Sequence, residues 1–421
     1  MKVAVIGAGI IGTTTALRLA EDGHQVTVFD AQAEVAEGAS RANAGVIAPG
    51  YVTPWSAPGM PGKVLRQLPS RRAAVRWHPR WDADQWRWLW RWWRATAPQA
   101  YQPHRAAMLS LAAASLAKLR DWRARYAFSY GQASGYLQLL RSEAELHGIA
   151  GALTLLRELG VAHALVDAAQ CHQIEPGLNR RTALHAGVHL PQDEVGDCRA
   201  FALQARRAAE GLGARFALRH RICEVVITGS GIKLNVEVSD NLHEHTPLFD
   251  AAVICAGSDS AALLRPLGLR LPLLPVWGYS LTAPLREPAN APRAGIMDER
   301  YKTAITRLGD QVRVAGTAEI GARAGQMHPA ALQTLRDVLH DWFPEAADLA
   351  RQQGWMGARP MLPEGPPLIG PTAWPGLYLN LGHGSSGWAL ACGSAELLAD
   401  QLAGRPPRLA PAPYLVARYR G

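Results

Sequence analysis

The sequence predicts an α/β protein. The two ends of the chain build one doubly wound, mainly parallel sheet, and two middle stretches build a second, mixed or antiparallel sheet of α+β character. Three observations carry this. The chain opens with a short β-branched run, a glycine turn and a helical pattern, and a second apolar run follows at once. A buried strand ending in small residues recurs at 251–258. A strand, a glycine turn and a helix recur again at 377–402. Their spacing assigns residues 1–50, 195–262 and 350–421 to one discontinuous domain, and 51–194 and 263–349 to an interleaved second one.

Taken in order, residues 3–6 read as a fully buried strand, short, β-branched and without alternation. Gly7, Gly9 and Gly12 follow, with Ile10 and Ile11 between the last two. This spacing allows a tight turn, close approach of the backbone to a pyrophosphate and close packing of the next helix. Residues 13–22 fit that helix, whose free N–H groups and dipole favour a phosphate at its start. Residues 25–29 make a second strand. Asp30 at its end, followed by Ala31, suits a ribose diol. The run predicts a Rossmann-like dinucleotide site and leaves open which dinucleotide. A small-residue loop comes next at 40–51. Helical patterns are expected near 84–95, 105–125 and 142–159, with a strand at 136–140. A helix at 198–211 precedes strands at 215–218, 222–227 and 232–238. Further strands are expected at 273–281, 301–307 and 311–315, then a helix at 329–342. A strand at 377–380, a tight turn at 382–387 and a helix at 388–402 close the chain.

At 421 residues, with 48% hydrophobic and 19% charged content, the chain can bury a large core and has no disordered composition. A net charge of +9 favours anionic partners, although arginine supplies most of it. Five widely spaced cysteines without a C-x-x-C pair argue against a zinc site or a disulfide framework and suit a reducing compartment. No metal is expected. No run of 18 apolar residues offers a spanning helix, and the N-terminal apolar stretch runs directly into the second strand, unlike a cleaved leader.

Seven of the 14 tryptophans lie between Trp77 and Trp93. At helical spacing Trp86, Leu89, Trp90 and Trp93 share one face, extended by Trp88 and Trp92, while Arg87, Arg91 and Arg94 fall opposite. An amphipathic helix packed on its own protein and an interfacial membrane helix both fit this pattern. Nucleic-acid binding fits less well, since no recognised module surrounds the segment, and no specific nucleic acid is expected.

Motifs run through the whole chain. They include Asn43-Ala-Gly45 with Pro49-Gly-Tyr51 and Pro54-Trp55, and Leu190-Pro-Gln-Asp-Glu194-Val-Gly196-Asp197-Cys198. Gly278-Tyr-Ser-Leu-Thr282, Tyr301-Lys302 with Ala304-Ile-Thr-Arg307, and Gly357-Ala-Arg359-Pro-Met361 follow. Gly382-His-Gly384 with Gly387-Trp388 and Ala391-Cys-Gly-Ser394 complete the series. In this order the sequence resembles the bacterial FAD-dependent D-amino acid dehydrogenases (small subunit), within the D-amino acid oxidase and glycine oxidase superfamily. The resemblance implies noncovalent FAD and oxidative deamination of D-amino acids to 2-oxo acids and ammonia. It implies hydride transfer from Cα to flavin N5, with electrons passed to a quinone or other respiratory acceptor. It also implies a cytoplasmic protein at the inner face of the membrane, and together with the tryptophan helix it makes Trp86, Trp90 and Trp93 the candidate peripheral contact. A glycine-, sarcosine- or D-proline-type amine oxidase of the same superfamily is the alternative.

The residues support this chemistry. A substrate carboxylate calls for an arginine, whose planar fork binds it bidentately and stays charged. Arg359 aligns with the superfamily's carboxylate-binding arginine, and Arg307 is a weaker candidate. Tyr51, Tyr279 and Tyr301 are expected to line the substrate cavity. His383 is either an acid/base or a turn histidine bonded to backbone. The expected cofactor contacts are Gly7, Gly9, Ile10, Ile11, Gly12, Asp30 and Ala31, then Ser40, Arg41, Asn43, Ala44 and Gly45. The Val225 backbone, Ala256 and Gly257 follow, and Gly382, His383, Gly384, Ser385, Ser386 and Gly387 lie beside the ring. Cys392, a conceivable covalent link, is expected to be a buried thiol instead. Tyr136 stands where a smaller residue is expected.

Overall fold

The computed structural model describes residues 1–67, 70, 72–238 and 242–419. A six-stranded sheet runs Leu368–Pro371, Leu377–Leu381, Ala251–Ile254, Lys2–Ile6, Gln25–Asp30, Arg215–Leu218. All its pairings are parallel except that of Leu368–Pro371 with Leu377–Leu381. The Lys2–Ile6 strand is buried on both faces, as an unalternating apolar run requires. Val3 and Val5 face helices Ile10–Glu21, Cys198–Gly211 and Gly387–Leu402. Ala4 and Ile6 face the three-stranded sheet that contains His220–Thr228 and Gly231–Val238.

The second sheet has ten strands. Its main path runs Gln353–Met361, Leu274–Pro284, Gln311–Ile320, Thr303–Leu308, Gly295–Asp298, Ala133–Leu140, Ala186–Val195, Val46–Ile47. Most neighbours are antiparallel. Helix Pro329–Trp342 packs on one face through Leu335, Val338 and Trp342. The other face borders the cavity described below.

Several expectations shift. Gln353–Met361 pairs with Leu274–Pro284 in the larger sheet, so the boundary expected at 350 falls before a strand of the second sheet. The helix expected over 142–159 is two helices, Glu143–Gly148 and Ala150–Glu158, because Ile149 leaves helical geometry (φ −104°, ψ 2°) directly after a glycine. The helix expected from 105 begins earlier, as Pro98–Tyr126, with proline in its first turn.

The tryptophan helix, Ala83–Ala95, divides its aromatic residues differently from the helical-wheel expectation. Gln85, Trp88 and Ala95 are buried, with Leu89 and Trp92 half-buried. Trp88 stacks on Trp92 at 6.4 Å and donates to the Met361 carbonyl at 2.9 Å. Trp86, Trp90 and Trp93 point outward at 46%, 53% and 61% exposure. Leu89 therefore goes with the packed side, not with those three. The arginines do not share one opposite face: Arg94 lies over the Trp90 ring at 4.9 Å, Arg87 pairs with Asp84 at 3.1 Å, and half-buried Arg91 pairs with Glu364 at 3.7 Å. Among the described residues, no helix is long and apolar enough to cross a membrane.

Candidate active site

One cavity of about 970 Å³ runs from the N-terminal glycine turn to the larger sheet. That is the upper end of the range for ligand pockets, roomy enough for a large cofactor and a small substrate. Gly7 has φ +106°, and a Cβ there would lie 2.5 Å from the Cys255 carbonyl oxygen, so only glycine fits. A Cβ on Gly12 would meet the Gly7 carbonyl at 1.7 Å, which fixes how closely the helix packs on its own turn. Gly9 is different: a Cβ there would meet only Ser40 Oγ, at 3.5 Å, so its bare side is the wall of the cavity. No side chain caps the helix at Gly9. Instead the Ser40 hydroxyl accepts from the Ile10 N–H at 3.0 Å. Asp30 accepts from the Ala8 N–H at 2.6 Å and the Gln32 N–H at 2.8 Å, so it braces the turn as well as bordering the cavity.

The loop after Ser40 is tied to the second sheet. The Asn43 carbonyl accepts from Arg313 at 3.2 Å and the Ala44 carbonyl from Thr306 at 2.9 Å, while Gly45 turns at φ +71°. Two buried polar atoms on the wall, Asn380 Oδ1 and Ser258 Oγ, have no partner among the described residues. Bare backbone at Gly9 with unanswered polar atoms across the same cavity fits a polar, phosphate-bearing cofactor.

At the other end, Gly382 (φ +81°) and Gly384 (φ +58°) turn the chain into helix Gly387–Leu402. His383 is buried. Its Nε2 lies 2.9 Å from Ser394 Oγ, which itself donates to the Leu390 carbonyl, so the imidazole Nε2 carries the proton. Burial pushes His383 down to about 3, and it is neutral at physiological pH. It is a neutral turn histidine whose ring bonds a side chain, Ser394, and not the backbone expected. Trp55 Nε1 donates to Ser385 Oγ at 2.9 Å and joins the turn to the loop before it.

Arg359, on Gln353–Met361, is the distinctive charge. Its guanidinium donates to the carbonyls of Thr317 at 2.9 Å, Trp277 at 3.3 Å and Gly316 at 3.4 Å. Two of its five N–H groups then have no partner among the described residues, and no carboxylate pairs with it. Burial lowers it to about 10, still cationic. It lies where it does because Gly278 has no side chain: a Cβ there would stand 2.2 Å from the guanidinium carbon. The register supplies the carbonyls. Trp277 pairs with Glu319 but Tyr279 with Gly316, so Thr317 and Ala318 bulge against Gly278. Thr317 takes φ +54° at this bulge, a left-handed conformation unusual for a β-branched residue.

Tyr51 also lines the cavity. Its hydroxyl lies 3.4 Å from Glu299 Oε2 and 3.4 Å from Lys302 Nζ, and Lys302 also bonds Glu299. Gln138 donates to Glu299 at 2.6 Å. Burial and the Glu299 charge hold the Tyr51 phenol well above its usual range. Tyr279 borders the cavity, yet its hydroxyl is engaged by Glu319 at 2.8 Å and the His328 N–H at 3.4 Å.

Four expected residues are not on the cavity wall. Gly12 acts through packing. Arg41 faces outward and pairs with Glu37 at 3.1 Å. Tyr301 is turned towards Arg72 and Arg141, which lie over its ring at 5.9 and 5.3 Å. Val225 is buried in the core beneath the three-stranded sheet, and His220 to Cys223 of the same strand border the cavity instead. Arg307 bonds the Gly309 carbonyl and is also outside. Cys392 is buried away from the cavity, its thiol pushed up by burial. Trp55, Glu299, Lys302, Thr317 and Trp355 were not singled out as site residues, although Pro54-Trp55 and Tyr301-Lys302 lay in the motifs.

A family model for FAD dependent oxidoreductases (DAO) matches residues 2–401. A D-amino acid dehydrogenase of Rhizorhabdus wittichii is 42% identical over 421 residues, covering all of both chains. One from Bradyrhizobium diazoefficiens is 40% identical over 421 residues, covering 100% of this chain and 99% of the relative. Among solved structures, glycine oxidase from Geobacillus kaustophilus shares the fold with a TM-score of 0.78 at 20% identity, covering 100% and 99% of the two chains. L-proline dehydrogenase from P. horikoshii shares it at a TM-score of 0.72 and 18% identity, covering 100% and 97%.

Proposed function

The chain belongs to the DAO family of FAD-dependent oxidoreductases and works in FAD-dependent amino acid oxidation, and we propose that its substrates are D-amino acids, deaminated to 2-oxo acids and ammonia. The single observation that carries this reading is Arg359. It is a half-buried cation with no acidic partner among the described residues, and it opens into the same cavity as the glycine turn.

Gly7, Gly9, Ile10, Ile11, Asp30 and Ala31 are the residues that would hold the nucleotide end of FAD, with the 40–45 loop, Ala256 and Gly257 beside them. Gly382 to Gly387 would hold the ring end. When bound, FAD supplies the two-electron acceptor that takes a hydride from the substrate Cα at N5. Arg359 offers its two spare N–H groups to the substrate carboxylate and so fixes which way Cα points. The Tyr51 hydroxyl, set between Lys302 and Glu299, offers the substrate a hydrogen-bonding group in the same cavity. The start of helix Gly387–Leu402 favours negative charge at that end of the cavity. His383 braces the turn and moves no proton. The word dehydrogenase in the relatives' names supports a quinone or other respiratory component as the final acceptor.

Exposed Trp86, Trp90 and Trp93 beside Arg87 and Arg94 support peripheral attachment to the anionic inner face of the cytoplasmic membrane. The function is tested by anaerobic titration of the purified yellow protein with a panel of D-amino acids. Bleaching of the flavin band is the expected result. An oxidised spectrum that survives D-alanine and every other member of the panel refutes the reading.

A further inference from the structure

Trp355 lies beside Arg359 in a way that reaches beyond binding of the carboxylate. Gly278 and Gly357 stand directly opposite each other in the ladder of Leu274–Pro284 and Gln353–Met361. A Cβ on Gly278 would lie 2.2 Å from the guanidinium carbon of Arg359. A Cβ on Gly357 would lie 1.8 Å from Cη2 of the Trp355 indole. Each hollow is therefore filled by a side chain from one strand, the guanidinium in the first and the indole in the second. Opposed Cβ positions are about 5 Å apart, so the two filled hollows are neighbours on one face of the sheet. The Trp55 ring, centred 5.9 Å from the Arg359 guanidinium carbon, flanks it as well, and Ser385 holds that indole in place.

We propose that Trp355 is a specificity-determining residue and that the site takes amino acids with aromatic or large apolar side chains. The inference rests on reading Arg359 as the carboxylate clamp. From hydrogen-bond and covalent lengths, an amino acid clamped there has its Cβ within ~6 Å of the guanidinium carbon. Its side chain is then within reach of either indole. Flat and branched apolar groups gain contact and offset stacking against an indole. A carboxylate or ammonium in that position would lose water without gaining a partner. Lys302, another cation on the wall, is already matched by Glu299.

The test compares kcat/KM for D-phenylalanine, D-alanine and D-aspartate in the flavin-loaded wild type, Trp355→Leu and Trp355→Phe. The wild type should favour D-phenylalanine over the other two by at least tenfold. Trp355→Leu should lower the D-phenylalanine to D-alanine ratio at least fivefold, and Trp355→Phe should keep it within twofold. A wild type that prefers D-alanine or D-aspartate overturns the proposal without any variant, and so does a ratio that Trp355→Leu leaves unmoved. Failure of every D-amino acid to reduce the flavin removes the underlying function. Efficient turnover of D-alanine without a preference for D-phenylalanine removes only the side-chain proposal.

Discussion

Gly278→Ala separates substrate binding from folding more cleanly than removal of Arg359 itself. Gly278 does not have a positive φ, so alanine is compatible with its backbone. The atoms a new methyl would meet are Cζ, Nη1 and Nη2 of Arg359, at 2.2–2.3 Å. They are the far end of a flexible side chain, which can swing aside into the cavity. Stability should fall by only ~1 kcal/mol, the low end for an extra methyl in a packed site. The guanidinium, in contrast, loses its three carbonyl anchors and its aim. Two charge-assisted hydrogen bonds to a substrate carboxylate, at ~1.5–3 kcal/mol each, give a loss of about 3–6 kcal/mol when misplaced. At 1.4 kcal/mol per decade this is a fall in kcat/KM of about 10²–10⁴-fold, carried mainly by KM. Stopped-flow reduction of the bound flavin against D-amino acid concentration measures it, and urea unfolding of the same sample measures stability. A KM within threefold of wild type refutes the role given to Arg359. So does loss of flavin at normal substrate affinity.

Other outcomes follow from neighbouring residues. Thr317→Gly should stabilise the fold by about 0.5–1 kcal/mol, since relief of a left-handed β-branched residue outweighs the backbone entropy of glycine; urea denaturation reads the sign. Burial pushes the Asp193 carboxyl up to about 7, so its stabilising share is complete below pH 4 and lost as pH rises through 7; Asp193→Asn should therefore gain ~2–4 kcal/mol over wild type at pH 8 and little at pH 4. His383, held near 3 against about 6.5 unfolded, contributes stability above pH 6.5 that is lost as pH falls towards 3; His383→Asn should flatten the acid side of the unfolding profile. Replacing Arg87 and Arg94 by glutamate should weaken binding to anionic vesicles at least tenfold with flavin retained, and unchanged sedimentation with vesicles would remove the membrane contact.

The parts of the molecule that local chemistry dictates were legible in the sequence. Gly7, Gly9 and Gly12 each carry a separate steric reason within a dozen residues. Helices Cys198–Gly211 and Pro329–Trp342 have the predicted bounds because Asp197 caps the first and Pro329 starts the second. What depends on register between distant strands was not legible. Nothing local says that Gly278 faces Gly357, that Thr317 bulges against Gly278, or that the cavity meets Ile222 rather than Val225. The tryptophan helix shows the same limit. Its wheel is apolar over too wide an arc to choose a buried side, and the choice is made by Trp88 reaching the Met361 carbonyl, 273 residues away.

Part of the backbone strain in this fold lies where the charge is solvated. Of the five non-glycine residues with left-handed backbone among those described, Lys302 and Thr317 both border the cavity. Gly316 fits tightly between them, since a Cβ there would meet Thr303 Oγ1 at 2.7 Å and the Lys302 carbonyl at 3.2 Å. A guanidinium drawn partly out of water must be compensated, and the simplest way is an acidic partner. Such a partner would occupy the fork that has to receive a carboxylate. Backbone carbonyls solvate the cation with neutral dipoles and leave its charge unspent, but three of them can converge on one guanidinium only if the strand is bent out of its ladder. The bulge at Thr317 and the hollow at Gly278 supply that bend. The cost in backbone strain, ~1–3 kcal/mol at such a position, is what holds Arg359 half-buried at the cavity without an acidic partner.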